Sequence, residues 1–235
     1  MKPLVIIPAR GGSKGIPGKN IKLLVNKPLI EYTINAAKGV FDNSDICVST
    51  DSKEIKEIVE KNGLEVPFLR PKELATDTAT TYDVLIHAIN YYKEKGKEYD
   101  TVILLQPTSP FRNQDHIISA LKIYENEDNI DMLVSVKLTH SNPYYVLFEE
   151  NDKGFLEKSK AGIYSRRQDC PDVWEYNGAI YIINLNSLNK GDFSTFKKIK
   201  KFVMDETSSL AIDTEMDWHI AEYLNNNLSK KDLFN

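Results

Sequence analysis

The chain opens with four consecutive apolar residues, Leu4-Val5-Ile6-Ile7, and then runs into a glycine-rich basic stretch from Arg10 to Asn20. An unbroken apolar run of this length is expected of a strand buried on both faces rather than one with a wet side. Such a strand belongs inside a sheet with helices above and below it. The order of the later elements agrees. Helical periodicity is expected over Lys27 to Val40, with Leu29, Ile30, Ile34 and Ala37 on one face. A second strand is expected over Asp45 to Thr50. A helix follows, capped by Ser52, running through Asn62 and stopped by Gly63. The pattern continues with a helix over Thr80–Lys95, a strand over Thr101–Leu105, a helix over Asp115–Glu125 and a strand over Met132–Val136. Strands alternating with helices imply an α/β fold with a predominantly parallel open sheet and helices on both faces. Right-handed crossovers then bring the loops after the strands to one edge, where such sheets bind ligands.

The chain of 235 residues fits one compact domain spanning residues 1–235. From about Leu138 to Tyr176 the helical period fails, and prolines, aromatics and charges accumulate. This segment is expected to be an inserted arm. Strand character returns over Asn177–Asn184, an edge strand is expected over Lys197–Met204, and a closing helix over Asp213–Asn225. The last residues, 229–235, are expected to fray.

The loop after the first strand reads Arg10-Gly11-Gly12-Ser13-Lys14-Gly15-Ile16-Pro17-Gly18-Lys19-Asn20, with four glycines, two lysines and an arginine. Glycine lets backbone N–H groups approach phosphate oxygens, and Lys and Arg neutralise a polyphosphate. The spacing is neither a P-loop nor GxGxxG. A solvated surface turn has the same composition, but the position after the first buried strand favours a phosphate site. With a formal net charge of −4, general binding to nucleic acid or anionic membrane is not expected, so any phosphate must be held locally. No apolar stretch approaches the roughly 20 residues of a membrane span, and no signal-peptide core follows Met1. A cytoplasmic protein is therefore expected. Cys47 and Cys170 form no CxxC pair and read as ordinary thiols. His87, His116, His140 and His219 show no metal-ligand spacing.

The string Ile7-Pro8-Ala9-Arg10-Gly11-Gly12-Ser13-Lys14-Gly15-Ile16-Pro17-Gly18-Lys19-Asn20 resembles the signature of the acylneuraminate cytidylyltransferases, also called CMP-sialic acid synthetases. The likeness continues through Ser49-Thr50-Asp51-Ser52, Arg70-Pro71 with Leu74-Ala75 and Asp77, Gln106-Pro107-Thr108-Ser109-Pro110 with Arg112, and Arg167-Gln168. It ends with Asn177-Gly178-Ala179-Ile180-Tyr181 and Ile212-Asp213-Thr214-Glu215 with Asp217, so it spans about residues 3 to 225. The resemblance implies a Rossmann-like, GT-A-like nucleotidyltransferase fold. It also implies transfer of CMP from CTP to the anomeric hydroxyl of an acidic sugar, with Mg²⁺ as cofactor and pyrophosphate released.

Residue by residue, the resemblance assigns catalysis to Arg10, Lys19 and Asp213. Arg10, Gly11, Gly12, Ser13, Lys14, Lys19 and Asn20 would hold the nucleotide's phosphates and nucleoside. Arg70 and the Thr78–Ala79 backbone would read the base. Gln106, Ser109, Arg167, Asn177 and Tyr181 would serve the sugar, with Arg167 suited to a bidentate grip on its carboxylate. The arm at 138–176 would make a homodimer. Asp213 and Asp217, spaced i, i+4 at a helix start, could share a metal, although capping of that helix explains the same pattern. The family's final motif often reads Asp-Ile-Asp, where this chain has Ala211-Ile212-Asp213. Tyr145, and Glu175-Tyr176 before Asn177, also depart from it on the sugar side. Legionaminic, pseudaminic or Kdo acid, GTP in place of CTP, and a non-catalytic nucleotide-binding protein stay open as alternatives.

Overall fold

A computed structural model describes residues 1–227. The expected fraying of 229–235 lies outside the described residues. The chain begins with β1 (Pro3–Pro8), followed by the short pair β2 (Leu23–Leu24) and β3 (Lys27–Pro28), then α1 (Leu29–Lys38). Next come β4 (Ile46–Ser49), α2 (Lys53–Lys61), α3 (Thr81–Glu94), β5 (Thr101–Leu104), α4 (Gln114–Glu125) and β6 (Met132–Leu138). The remainder is β7 (Phe148–Glu150), β8 (Leu156–Lys158), β9 (Trp174–Asn184), α5 (Leu185–Leu188), β10 (Ile199–Val203) and α6 (Glu215–Asn227).

Six strands form one sheet in the order β10-β6-β9-β5-β1-β4. Leu4, Val5, Ile6 and Ile7 are all fully buried, as a two-faced strand requires. Their side chains alternate between two cores. Val5 and Ile7 join Val48, Ile103 and the apolar faces of α1, α2 and α4. Leu4 and Ile6 join Cys47, Leu104 and the face of α3. β1 runs parallel to β4 and β5, and β10 parallel to β6. The expected edge strand is β10.

β9 departs from the simple alternation, because it runs antiparallel to both β5 and β6. The cause is the arm. β6 ends at Leu138 at the ligand edge of the sheet, and Leu138 pairs with Trp174. A chain that leaves and re-enters at the same edge must return antiparallel. The strand therefore resumes at Trp174, three residues before the expected Asn177. Between Val134 and Val136 the register shifts. There the buried Ser135 hydroxyl accepts from the Ile180 N–H at 2.8 Å and donates to Asn177 Oδ1 at 2.6 Å.

Helix boundaries follow local chemistry. The first helix begins at Leu29 rather than Lys27, since Pro28 stands at its cap position with φ −49° and Lys27–Pro28 pair as β3. Ser52 caps α2 by accepting from the Ile55 N–H at 3.2 Å, and Gly63, at φ +77°, ends that turn. Thr80 and Asp83 form a capping box on α3. Within the arm, β7 and β8 make an antiparallel hairpin whose residues are exposed throughout.

A third, smaller cluster ties the chain's two ends together: Ile16 and Leu24 pack with Leu29, Phe111, Ile212, Trp218 and Ala221. Trp218 is 1% exposed, its indole N–H donates to Glu222 Oε1 at 3.0 Å, and Lys22 Nζ sits 4.4 Å from the ring centroid. We expect Trp218→Ala to lower stability by about 3–5 kcal/mol, the usual range for emptying an aromatic core site. Urea denaturation followed by far-UV circular dichroism checks this.

Candidate active site

The loops after β1, β4 and β5 meet the segment before α6 at one edge of the sheet, and two adjoining clefts open there. The first, about 450 Å³, is lined by Arg10, Ser13, Lys14, Lys19, Asn20 and Arg70, together with Ala79, Gln106 and Asp213. The second, about 580 Å³, is lined by Lys137, Glu175, Asn177, Tyr181, Ala211 and Asp217 among others. Gln106, Thr108 and Asp213 border both.

The glycine loop is held in place by its own turns and by its contact with the segment before α6. Gly18 adopts φ +63°, and its carbonyl accepts from the Ile21 N–H at 2.9 Å. A β-carbon on Gly15 would stand 2.2 Å from the Asp213 carbonyl oxygen, so only glycine permits this backbone contact. Lys19, with a side chain only 11% exposed, donates to the Ile212 carbonyl at 2.7 Å and to Asp213 Oδ1 at 2.9 Å. Asn20 donates to the Arg10 carbonyl at 2.9 Å, and the Gly11 N–H donates to Asp51 Oδ1 at 2.9 Å. Gly12 faces open space. At the mouth, Arg10 and Lys14 both pair with Asp77.

Arg70 is buried and serves the backbone: Nε donates to Ser49 Oγ at 3.1 Å, Nη2 to the Ser49 carbonyl, and Nη1 to the Leu74 carbonyl at 3.3 Å. Burial pulls its guanidinium below the ordinary arginine range, with Asp51 opposing the shift. Arg70 thereby fixes the chain leading to Ala79, which lines the cleft. Thr78 itself is exposed, its hydroxyl 3.1 Å from that of Thr76.

On the other side, Gln106 and Tyr181 line the second cleft, Tyr181 stacked on Phe193 at 6.1 Å between centroids. Asn177 borders it while buried in a network with Ser135, the Ala179 N–H and Ser209 Oγ. Ser109 lines neither cleft and is fully buried. Arg112, on the same loop, is also fully buried, and burial pushes its guanidinium down to about 9. Arg167 lies on the arm, exposed, against His140 Nδ1, and His140 Nε2 contacts Glu206.

The two aspartates expected near a metal have separate roles in the described structure. Asp217 Oδ2 accepts from the Asp213 N–H at 3.1 Å, the Thr214 N–H at 2.8 Å and the Thr214 hydroxyl at 2.8 Å. The Asp217 N–H donates back to Thr214 Oγ1 at 3.2 Å, completing a capping box on α6. Burial raises the Asp217 carboxyl, but the bonds from Thr214 and Asp213 and the charge of Lys19 outweigh it and hold the group below the ordinary range. Asp213 is 71% exposed and borders both clefts. Among the described residues, no group of three or more His, Cys, Asp and Glu is arranged to hold a metal. One accessible carboxylate beside a basic cleft still suits Mg²⁺, which takes one or two carboxylates together with phosphate oxygens and water.

Asp77 belongs to a matching motif that assigns it no role, and Lys137 belongs to none; Lys137 lines the second cleft, as does Glu175, one of the departures from the family pattern.

The cytidylyltransferase family model matches residues 4–229. This chain belongs to the cytidylyltransferase family. Members of that family are nucleotidyltransferases. This cytidylyltransferase is 38% identical over 232 residues to the post-translational flagellin modification protein B of Campylobacter coli, covering 97% of this chain and 98% of the relative. It is 40% identical over 230 residues to an N-acylneuraminate cytidylyltransferase of Streptococcus agalactiae serotype III (strain NEM316), covering 95% of this chain and 54% of the relative. It is 36% identical over 231 residues to the CMP-N,N'-diacetyllegionaminic acid synthase of Legionella pneumophila, covering 95% and 96% respectively. The chain thus spans about half the length of the streptococcal enzyme. A solved CMP:2-keto-3-deoxy-manno-octonic acid synthetase, complexed with CTP, superposes with TM-score 0.70 over 96% of this chain and 99% of that one at 19% identity. That likeness establishes the shared fold. No helix among the described residues is long and apolar enough to cross a membrane.

The depressed Asp217 carboxyl carries a pH signature. A folded-state value below the unfolded value of about 3.9 means the cap's stabilisation is present above that pH and lost as pH falls through the folded value. We expect Asp217→Ala to cost about 1 kcal/mol at pH 7, as loss of a cap does. The difference from wild type should be smaller at pH 3. Urea denaturation at both pH values measures it.

Proposed function

We propose that this chain transfers CMP from CTP to the anomeric hydroxyl of a sialic-acid-like nonulosonic acid, releasing pyrophosphate. The observation that carries this reading is the junction of the two clefts at Gln106, Thr108 and Asp213, with Lys19 bonded to Asp213 at that point. The triphosphate takes the basic cleft, on Arg10, Ser13 and Lys14, with the nucleoside toward Asn20, Ala79 and the Thr78 backbone; Gly11 and Gly12 line a neighbouring pocket with Asp51 and Ser52. The sugar takes the second cleft, against Gln106, Asn177 and Tyr181. The anomeric hydroxyl oxygen bonds to the α-phosphorus and gives its proton to solvent, the bond from that phosphorus to the bridging oxygen breaks, and pyrophosphate leaves with the electron pair.

This chemistry needs positioning and charge stabilisation more than an activated side-chain nucleophile. Lys19 supplies the fixed positive charge beside the α-phosphate, because its two protein bonds keep it from following solvent. Arg10 neutralises the departing pyrophosphate. Asp213 would hold Mg²⁺ together with the triphosphate oxygens, and Asp217 positions Asp213 by bonding its N–H. Bound Mg²⁺ supplies charge neutralisation and polarises the phosphoryl oxygens. With Ala211 in place of a second carboxylate, the ion depends more on the substrate.

The acid is the finer point. A legionaminic-type acid is the second reading. It is favoured because the legionaminic synthase matches over nearly its full length, whereas the streptococcal N-acylneuraminate enzyme is matched over about half. Pyrophosphate release with Mg²⁺ tests both, crossing CTP, GTP, UTP and ATP against N-acetylneuraminic, legionaminic, pseudaminic and Kdo acids. We expect release only with CTP and a nine-carbon acid. Lys19→Met should lower turnover about 10²–10³-fold, the scale for removing one transition-state donor, with the fold intact by circular dichroism. Silence in every combination from wild-type protein that still binds CTP would favour a non-catalytic nucleotide-binding role.

The arm supports a homodimer. Val146, Leu147, Phe148, Phe155, Leu156 and Ile163 are exposed on one short stretch, Ile163 completely. Apolar groups so concentrated favour burial against another surface. In this reading Arg167 is carried with the arm toward the second copy's sugar cleft. Sedimentation velocity is expected to give a dimer, and Phe155→Glu with Ile163→Glu to give monomers with reduced turnover.

A further inference from the structure

The turn at Thr76–Asp77 closes onto the basic loop in a way the transfer chemistry does not use. Asp77 Oδ1 lies 2.9 Å from Arg10 Nη1, and Asp77 Oδ2 lies 2.9 Å from Lys14 Nζ. Arg10 Nη1 also donates to the Thr76 carbonyl at 3.2 Å. Both oxygens of a single carboxylate are therefore engaged by the two cations that, in the proposed function, receive the triphosphate. All three side chains line the first cleft. The bridge is not a buried structural pair, since Arg10, Lys14 and Asp77 side chains are 32%, 75% and 46% exposed. Solvent-exposed ion pairs of this kind are weak enough for a ligand to break.

We propose that Asp77 is the internal counter-ion of the polyphosphate site, displaced when a polyphosphate binds, and that it sets the least charge a ligand must bring. The inference rests on the proposed function, because it takes Arg10 and Lys14 to be the phosphate cations. A ligand with one phosphate offers these two cations little more than the carboxylate already gives them. A pyrophosphate or triphosphate spans both, brings more charge and makes more charge-assisted bonds. Selectivity is a difference between affinities and often needs a repulsive element against the wrong ligand. Here Asp77 is that element, because any anion on Arg10 and Lys14 must first remove a like charge. While the bridge is closed, apparent affinity falls by the fraction of molecules in which the cations are free.

Calorimetric titration at low salt tests the idea, with inorganic pyrophosphate and inorganic phosphate as probes against wild type, Asp77→Asn and Asp77→Ala. Both variants should bind pyrophosphate about twofold more tightly, within the roughly fivefold that an exposed pair of ~1 kcal/mol can withhold. Phosphate should gain by a larger factor, so that the preference for pyrophosphate narrows. In a Lys14→Gln background the gain from Asp77→Asn should shrink. Pyrophosphate binding that is unchanged or weaker in both folded variants, where wild type binds, overturns the inference and leaves the proposed function standing. A gain that persists undiminished without Lys14 also overturns it, since Asp77 would then act elsewhere. If no form of the protein binds pyrophosphate or CTP, the phosphate site and this inference fall together.

Discussion

The contact between Gly15 and the backbone of Asp213 is the constraint on which the rest of the site depends. It brings the loop after the first strand against the segment that starts the last helix, at a separation that admits no side chain. Ile16, Trp218, Ile212 and Phe111 close behind it as an apolar cluster. Lys19 spans the seam, bonded to the Ile212 carbonyl and the Asp213 carboxylate. A residue near the start of the chain and one near its end thus become neighbours at the junction of two clefts. The sheet supplies the edge, and this contact decides what faces it.

Charge at that edge is arranged by pairing. The protein is acidic overall, yet Arg10, Lys14 and Lys19 gather at one cleft. Each has an aspartate partner, Asp77 for the outer two and Asp213 for the inner one. Outer pairs are exposed and exchangeable, whereas Lys19 is nearly enclosed. In the proposed function this separates a displaceable charge balance at the phosphate entrance from a fixed one where the transfer would occur. The same division explains why Asp213 and Asp217 differ. One faces the clefts, and the other is tied into a helix cap by three hydrogen bonds.

Much of the fold was legible in local sequence. The double-sided burial of Leu4–Ile7 showed as an unbroken apolar run, and the cap at Ser52 showed as a side chain that can accept from the first turn. Less was legible where partners are distant. Nothing in the string from Asn177 to Asn184 says that the strand runs antiparallel, because direction comes from where the arm departs and returns. Arg70 reads as a ligand-facing cation in sequence. In the structure it lines the first cleft while its guanidinium bonds the carbonyls of Ser49 and Leu74. Ser109 and Arg167 belong to recognisable motifs, yet one is sealed in the core and the other rides on the arm.

By itself the sequence determined the α/β class, the glycine-rich basic loop and the family, because apolar runs, glycines and basic residues act over a few neighbouring positions. Tertiary structure alone decided that Asp77 closes on Arg10 and Lys14, and that two clefts share Gln106, Thr108 and Asp213. Those outcomes depend on which backbone segments pack together across the ends of the sheet. Spacing along the chain carries no information about such distances until the cores on both faces have fixed the strands.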